Sequence, residues 1–440
     1  MSAFDALFVP DDLREAVSGR SWLEAMLGAE HALANAGAIA GIIPEEAAAK
    51  IGEECSSEAY DWDVLLLEWR LSGSPAEPLV RALVRRVGED AGKWVHLGAT
   101  SQDIVDTAAM LVSRRALGLV VERLTRAADA CASLARTHRD TPMAGRTLLQ
   151  HAVPTTFGLK AAGWLVALGD ARARLVELRQ TLPAQLGGAA GTLSALGEHG
   201  LEVAALYARE LDLAEPTLPW HANRTRIVEL GAALTIAAGV VAKIGVDLQL
   251  LAQTEVAEVR ESGDSGGSSA MPQKRNPVGA TWARAAAELA RGHASVLIGA
   301  PAAEHERGAG AWQAECDALS GALMTTGGAA AALAGALEGL EVDRDRMRAN
   351  LELTGGAIVA ERFAIVLGEQ LGRSQARALV RRASLRAAET GGTLRDSVAG
   401  ESGLSAAELD TVFDPAGYLG SAGALVDRAV ARYDAEREAR

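Results

Sequence analysis

Eight apolar residues between positions 227 and 251 follow an uninterrupted alternation of three- and four-residue steps. They are Ile227, Leu230, Leu234, Ala237, Val241, Ile244, Leu248 and Leu251. This spacing is typical of one long helix that packs along a seam in a helix bundle. A helix over residues 225–260 would extend about 54 Å at the usual rise per residue.

Four more apolar residues of this segment, Ile236, Val240, Val246 and Leu250, lie off the seam. The helix is therefore apolar on more than one face, which is typical of a helix surrounded by others. Its length exceeds that of an ordinary domain helix, so the second apolar face suits a subunit interface. We expect a homo-oligomer.

The composition favours helix throughout the 440-residue chain, which is 49% hydrophobic but only 4% aromatic. Alanine, leucine and glutamate are frequent, and these residues form helices readily. The sequence predicts an all-α protein. Breaks in the helical pattern divide it into an N-terminal helical domain (residues 1–105), a central long-helix bundle (106–350) and a small C-terminal helical domain (351–440).

A net charge of −14 argues against nucleic acid or an anionic membrane as a partner, because both recruit clustered lysine and arginine. The uncharged run at 318–337 is built mainly from small residues and predicts a buried helix, not a membrane span. Three cysteines without metal-ligand spacing fit a reducing compartment and predict neither a zinc site nor a disulfide framework. With an acidic start where a signal peptide is basic, the chain is expected in the cytoplasm.

Polar residues gather at the start of a predicted helix in "VHLGATSQDIVDTA". Thr100 and Asp103 have the spacing of a capping box, and Ser101 lies beside them. Free N–H groups at a helix start, together with the two hydroxyls, suit a carboxylate ligand. Ordinary helix capping also explains the pattern.

A second polar cluster, Arg146, Thr147, Gln150 and His151, precedes Pro154 in "GRTLLQHAVP". Proline is common in the first turn of a helix, so this segment also predicts a helix start. His151 is either a hydrogen-bonded structural residue or a proton carrier.

The third cluster is "GGSSAMPQKRNP", residues 266–277. Asn276 and Pro277 predict another helix start, so three helix N-termini could converge on one anion. Ser268 or Ser269 could transfer protons if Lys274 stabilises a serine oxyanion. A solvated linker would explain the glycines but not the residues that follow them.

With these three stretches, the chain resembles the fumarase/aspartase superfamily, whose signature loop has the form GSSxMPxKxNP. Further stretches, among them "LGGAAGTLSALG", "PWHANRTRI" and "DPAGYLGSAG", resemble the bacterial 3-carboxy-cis,cis-muconate cycloisomerase family. The resemblance implies a three-domain all-α protomer, a homotetramer with a 20-helix core, and composite active sites assembled from three subunits. It implies no metal or organic cofactor.

The resemblance also implies roles for individual residues. Ser268 would be the catalytic acid or base, with His151 and Lys274 also catalytic. A small polycarboxylate substrate would be bound by Thr100, Ser101, Thr147, Gln150 and Asn276, with His96, Arg146 and Arg307 as further candidates.

Leu148 departs from many superfamily relatives, which have a histidine in the corresponding RTHxQ stretch. That histidine assists a basic leaving group, whereas a carboxylate leaves or attacks as the anion at pH 7. The sequence therefore favours cycloisomerisation of 3-carboxy-cis,cis-muconate to its lactone over adenylosuccinate lyase, aspartase or fumarase chemistry. The alternative is a lyase that expels another weakly basic anion, such as nitrite from nitrosuccinate.

Two further departures leave that alternative open. Ser74 stands where cycloisomerases usually have asparagine, and Thr225 where aspartate is frequent. A non-catalytic, crystallin-like protein is disfavoured because Ser268, Lys274, Asn276 and Gln150 are all retained.

Overall fold

A computed structural model describes residues 5–262, 266–267 and 271–438 of the chain. In these residues it forms nineteen α-helices and four short strands, which confirms the all-α prediction. The helices are α1 Asp5–Phe8, α2 Asp11–Ala16, α3 Gly19–Ile39, α4 Glu45–Glu53, α5 Trp62–Ser72, α6 Ala76–Val87, α7 Glu89–Gly92, α8 Ser101–Thr137, α9 Phe157–Gln180, α10 Gly200–Glu210, α11 Thr225–Ala252, α12 Val278–Ile298, α13 Ala311–Glu338, α14 Arg344–Leu351, α15 Ala360–Leu371, α16 Arg373–Thr390, α17 Leu394–Val398, α18 Ala406–Phe413 and α19 Ala422–Glu438.

The strands form two antiparallel pairs. Strands β1 (Pro142–Thr147) and β2 (Gln150–Thr156) make a hairpin, and β3 (Val259–Glu261) pairs with β4 (Leu340–Val342).

The seam of α11 is confirmed, because all eight of its residues are buried. The predicted length of the helix is wrong. α11 ends at Ala252, since the chain turns at Ala257 with φ +50° and then pairs as β3 with β4. Its 28 residues extend about 42 Å. Off the seam, Ile236 and Leu250 are 56% and 38% exposed in the protomer, so the subunit interface remains a prediction.

The chain folds into two compact units. The first lies within residues 1–124, 170–243 and 282–332, and part of its core is an apolar cluster between α3, α4 and α6 that includes Ile51 and Leu83. The second lies within residues 125–169, 244–281 and 333–440 and has a core around Phe363 and Leu409 between α15 and α18. The three-domain division at residues 105 and 350 stays a prediction.

The uncharged run at 318–337 lies in α13, and most of its residues are buried inside the protein. By length and composition alone, α11 and α13 could each cross a membrane. The most apolar part of α13 is 78% buried, as in the core helix of a bundle.

Candidate active site

The predicted helix start at Thr100 is confirmed, with α8 beginning at Ser101. The Thr100 N–H donates to Oδ2 of Asp103 at 2.9 Å, which is one half of the expected capping box. The Thr100 hydroxyl does not complete the box. Its Oγ1 instead accepts from Nη1 of Arg307 at 2.9 Å, although the two residues are 207 positions apart in the chain.

Arg307 connects this helix start to a second loop. Its Nη2 donates to the carbonyl oxygen of Ala189 at 3.0 Å, while Nη1 holds Thr100. In the part of the chain that the structure describes, no carboxylate is paired with this guanidinium. Thr100, Ser101 and Arg307 therefore offer a hydroxyl pair and a positive charge to an anionic ligand.

His96 lies four residues before Thr100 and forms an ion pair with Glu30. Its Nδ1 is 2.6 Å from Oε1 of Glu30, a carboxylate that is fully buried. Burial lowers the pKa of His96, but the charge and hydrogen bond of Glu30 raise it by more, so the net shift is upward. The imidazolium form is thus favoured next to the α8 start.

The second polar cluster is a β-hairpin, so the prediction of a helix start at Pro154 is wrong. Pro154 lies within β2, and α9 begins only at Phe157, where the hydroxyl of Thr156 accepts the N–H of Leu159. Leu148 and Leu149 form the two-residue turn, with φ +50° and +65°. Both are exposed in the protomer, at 96% and 75%.

A two-residue hairpin turn with positive φ at both central positions normally contains asparagine and glycine. Leucine at both positions is therefore unusual. Two leucines in this conformation store strain, and strain of this kind is common at functional sites. Thr147 and Gln150 flank the tip as a cross-strand pair, and both are exposed. The hairpin therefore presents two apolar and two polar side chains together.

Arg146 and His151 face each other across the same hairpin. The Arg146 guanidinium makes a two-point ion pair with the buried carboxylate of Glu258, at 2.7 and 2.9 Å. Burial and the charge of Arg146 lower the pKa of His151, and Glu258 opposes this in part. The buried Nδ1 of His151 has no hydrogen-bond partner among the described residues. The neutral imidazole form of His151 is thus favoured, which suits a proton acceptor or relay.

The third cluster is a loop closed at its base. The carbonyl oxygen of Gly266 accepts from both the N–H and the Nδ2 of Asn276, at 3.0 and 2.8 Å. Lys274 is exposed and has no acidic partner in the described ranges. The predicted catalytic Ser268, and its neighbour Ser269, lie outside the described residues.

The helix start after this loop is not free to bind an anion. Glu261 accepts the N–H groups of Gly279 and Ala280, both at 2.8 Å, and so occupies the N-terminus of α12 with a carboxylate of the protein. Asn276 does not cap this helix. Of the three expected helix N-termini, the α8 start stays a candidate anion site among the described residues, although Asp103 already accepts the N–H of Thr100, which precedes the helix.

The structure places the candidates in two groups. His96, Thr100, Ser101 and Arg307 belong to the first unit, while Arg146, Thr147, Gln150, His151, Lys274 and Asn276 belong to the second. Thr100 and Arg307 are brought into direct contact, as are the two strands of the hairpin.

Several residues around the site had no sequence signal as site residues. Glu30 lies 66 positions from its partner His96, and His221 lies 118 positions from its partner Asp103. Glu258, which pairs with Arg146, follows a helix without any motif. Only their buried ionisable side chains in a mostly apolar context could have indicated them. Among the described residues, no group of three His, Cys, Asp or Glu side chains could hold a metal ion.

Comparisons with known proteins place the chain in a family. The family described as "Lyase" matches residues 9–292, and the one described as "Adenylosuccinate lyase C-terminus" matches residues 356–429. Nitrosuccinate lyase of Streptomyces davaonensis is 51% identical over 432 residues, which cover 94% of this chain and 91% of the relative. The 3-carboxy-cis,cis-muconate cycloisomerase of Pseudomonas aeruginosa is 47% identical, with 98% of this chain and 96% of the relative covered.

The fold agrees with these relatives. The crystal structure of the 3-carboxy-cis,cis-muconate lactonizing enzyme from Pseudomonas putida superimposes with a TM-score of 0.93 at 43% identity, over 98% of this chain and 99% of the other. Together with the loop, the hairpin and the α8 start, these matches show that the chain belongs to the lyase family of the fumarase/aspartase superfamily and is an enzyme of that superfamily.

Proposed function

We propose that the protein is a lyase that releases fumarate from a substituted succinate by expelling a weakly basic anion. Nitrosuccinate, which would give fumarate and nitrite, is the first candidate substrate. The observation that carries the proposal is the hairpin tip, where Leu148 and Leu149 offer no proton donor between Thr147 and Gln150.

The chemistry requires one base and no acid. A base removes a proton from the carbon next to one carboxylate, and the C–H electron pair becomes the new C=C bond. The C–N bond breaks, and its electron pair leaves on nitrite. Because nitrite is stable as an anion at neutral pH, it needs no proton, unlike an amine or hydroxide.

The candidate residues divide these tasks. Ser268 is the proposed base, with Lys274 stabilising its oxyanion and the neutral His151 as a relay. The substrate carboxylates are assigned to two sets of side chains: His96, Thr100, Ser101 and Arg307 in one, and Thr147, Gln150 and Asn276 in the other. Arg146 would act through its position beside His151, since Glu258 already holds its charge.

We propose that the sites are completed in a homotetramer, in which three protomers each contribute one of the three polar clusters. The exposed apolar residues of α11, Ile236 and Leu250, support such an assembly. No cofactor enters the proposed reaction, and a cytoplasmic location fits it.

The order of the two candidate substrates rests on two observations. The nitrosuccinate lyase relative is somewhat more similar, at 51% against 47% identity. Ser74 and Thr225 also differ from the usual cycloisomerase residues, and the buried Oγ of Ser74 has no partner among the described residues. Cycloisomerisation of 3-carboxy-cis,cis-muconate is the second candidate, because there a substrate carboxylate attacks as an anion and again needs no acid.

The test is to incubate the purified protein separately with nitrosuccinate and with 3-carboxy-cis,cis-muconate. Fumarate and nitrite should appear in equal amounts from the first, and the diene absorbance of the second should persist. Turnover of only carboxymuconate would reverse the order. Turnover of neither, with a folded protein, would refute both candidates.

A further inference from the structure

Asp103 is fully buried, yet its carboxylate is the centre of a set of hydrogen bonds beside the candidate site. Oδ2 accepts the N–H of Thr100 and the N–H of Gly188, both at 2.9 Å. Oδ1 accepts the N–H of Gly187 at 2.9 Å and lies 2.6 Å from Nε2 of His221. A carboxylate has about four acceptor positions. All are in use, so Asp103 cannot also bind a substrate.

The groups that Asp103 holds are joined to each other by Arg307. Its guanidinium bridges the Thr100 hydroxyl and the carbonyl of Ala189, the residue after the two glycines. The start of α8, the loop at 187–189 and the guanidinium therefore form a closed ring of hydrogen bonds. The carboxylate of Asp103 fixes the start of α8 through the N–H of Thr100, and it fixes the loop through the N–H groups of Gly187 and Gly188.

The two loops of this ring are also in close backbone contact. Gly188 has φ +70°, and a Cβ atom there would lie 2.9 Å from the carbonyl oxygen of Gly98. The two loops therefore approach too closely for a side chain at position 188, and glycine permits this approach.

Asp106 provides a comparison one helical turn further along α8. It is 2% exposed, and its carboxylate accepts from Arg224 at 2.7 and 3.0 Å and from Trp312 at 3.0 Å. Gln102 and Gln185 complete this second set, at 3.1 and 3.3 Å. None of these partners is a candidate substrate ligand.

From this contrast we propose that Asp103 is a positioning residue, which fixes the Thr100 backbone and the loop at 187–189 so that Thr100 and Arg307 present one preorganised carboxylate-binding face. Asp106 holds the interior of the same unit and makes no direct hydrogen bond to Thr100 or to the loop at 187–189 among the described residues. The inference rests on the proposed function, since it takes a substrate carboxylate as the ligand of that face. Preorganised groups are effective because they need no rearrangement when charge arrives.

The test compares Asp103→Asn with Asp106→Asn in the full-length protein. Each change keeps the shape of the side chain and replaces one acceptor oxygen by an NH2 group. Asp103→Asn should raise KM by about 10-fold to 100-fold with a smaller change in kcat, because a misplaced binding group weakens the substrate complex. Asp106→Asn should lower the unfolding midpoint by at least as much as Asp103→Asn does. It should nevertheless leave KM within about twofold of the wild-type value.

Amide hydrogen exchange gives a second readout that does not depend on turnover. Exchange in the segments 96–101 and 186–191 should accelerate together in Asp103→Asn, including at Ala189 and Ala190, whose N–H groups do not contact Asp103. It should stay at the wild-type rate in Asp106→Asn.

Equal KM values in the two variants, or acceleration restricted to the three amides that donate to Asp103, would overturn the inference. If the wild-type protein turns over neither candidate substrate, the proposed function fails. In that case the exchange pattern, with and without added fumarate as a dicarboxylate probe, decides the positioning role alone.

Discussion

Arg146 and Glu258 form a two-point ion pair, with Nη–Oε distances of 2.7 and 2.9 Å, beneath the strands of the hairpin. Glu258 is fully buried, while the side chain of Arg146 keeps 21% of its exposure. Asn350 donates a further hydrogen bond to Oε1 of Glu258 at 2.8 Å. The pair thus anchors the hairpin beside its tip, where Thr147 and Gln150 lie.

Glu258→Gln should lower the free energy of unfolding by about 2 kcal/mol. Breaking a fully buried pair costs about 3–5 kcal/mol, and the partial exposure of Arg146 reduces this. Chemical denaturation at a fixed protein concentration measures the change. Glu341→Gln is the control, because Glu341 pairs with Arg260 on the surface and should lose less than about 1 kcal/mol. Equal losses of unfolding free energy in the two variants would mean that burial adds nothing to the contribution of the pair between Arg146 and Glu258.

Leu149→Gly should raise stability by about 0.5–1 kcal/mol, because leucine at positive φ costs about 1–2 kcal/mol and glycine recovers most of this. Thermal unfolding measures it. Leu385→Gly is the control: Leu385 is also exposed, at 56%, but it lies within α16, where glycine costs about 1 kcal/mol. A loss in both variants would show that Leu149 contributes packing that outweighs the strain.

The ion pair of His96 with Glu30 should make stability depend on pH. The folded-state pKa of His96 is above its ordinary 6.5, so the pair stabilises fully below pH 6.5 and this contribution is lost as pH rises through the folded pKa. The difference in stability between wild type and His96→Asn should therefore be larger at pH 6 than at pH 9. Urea unfolding across this range measures it.

His151 provides the opposite sign for the same measurement. Its pKa is lowered, first by burial and then by Arg146, so its neutral form is favoured in the folded state. Stability is therefore lost as pH falls below 6.5, and His151→Asn should remove that loss. If His96→Asn and His151→Asn changed the dependence of stability on pH in the same direction, the raised pKa of His96 and the lowered pKa of His151 could not both be right.

Local patterns in the sequence predict the parts of this fold that depend on local spacing. The α11 seam and the start of α8 follow from periodicity and capping. The end of α11 does not, because β3 pairs with β4 some 80 residues away, as in the register Arg260 with Glu341. The hairpin has no such signal, because its turn has leucines in place of the usual asparagine–glycine pair.

The candidate site shows the same limit. Thr100 and Asp103 have a local motif, but the donors at 187, 188 and 221 come from distant segments that only the folded chain brings to Asp103. In the same way, no pattern near Pro277 indicates that Glu261 occupies the N-terminus of α12.

Ser268→Ala should lower kcat by about 10²–10⁴-fold, the usual range for loss of a general acid or base. The prediction rests on the family motif and on the proposed function. Ser269→Ala is the matched control and should change kcat by less than about tenfold. Steady-state kinetics on the accepted substrate, with light scattering to check the oligomer, decides between them. A larger loss in Ser269→Ala would transfer the catalytic role to that residue.

Gly266→Ala should disrupt the base of the signature loop without unfolding the protein. Gly266 has φ +86°, and a Cβ atom there would clash with the carbonyl oxygen of Asn276. The backbone must therefore shift at the point where the carbonyl oxygen of Gly266 now accepts two hydrogen bonds from Asn276. We expect kcat/KM to fall by at least about tenfold, since Asn276 and Lys274 move with the loop.

Gly267→Ala is the control for this change. A Cβ atom at Gly267 meets no described residue within 4 Å, and the φ of Gly267 is not in the left-handed region, so alanine fits without strain. It should leave kcat/KM within about twofold, and circular dichroism should show wild-type helix content in both variants. If both glycines tolerate alanine equally, the double hydrogen bond between Gly266 and Asn276 does not set the geometry of the loop, and Asn276 must be held by the substrate or by another protomer.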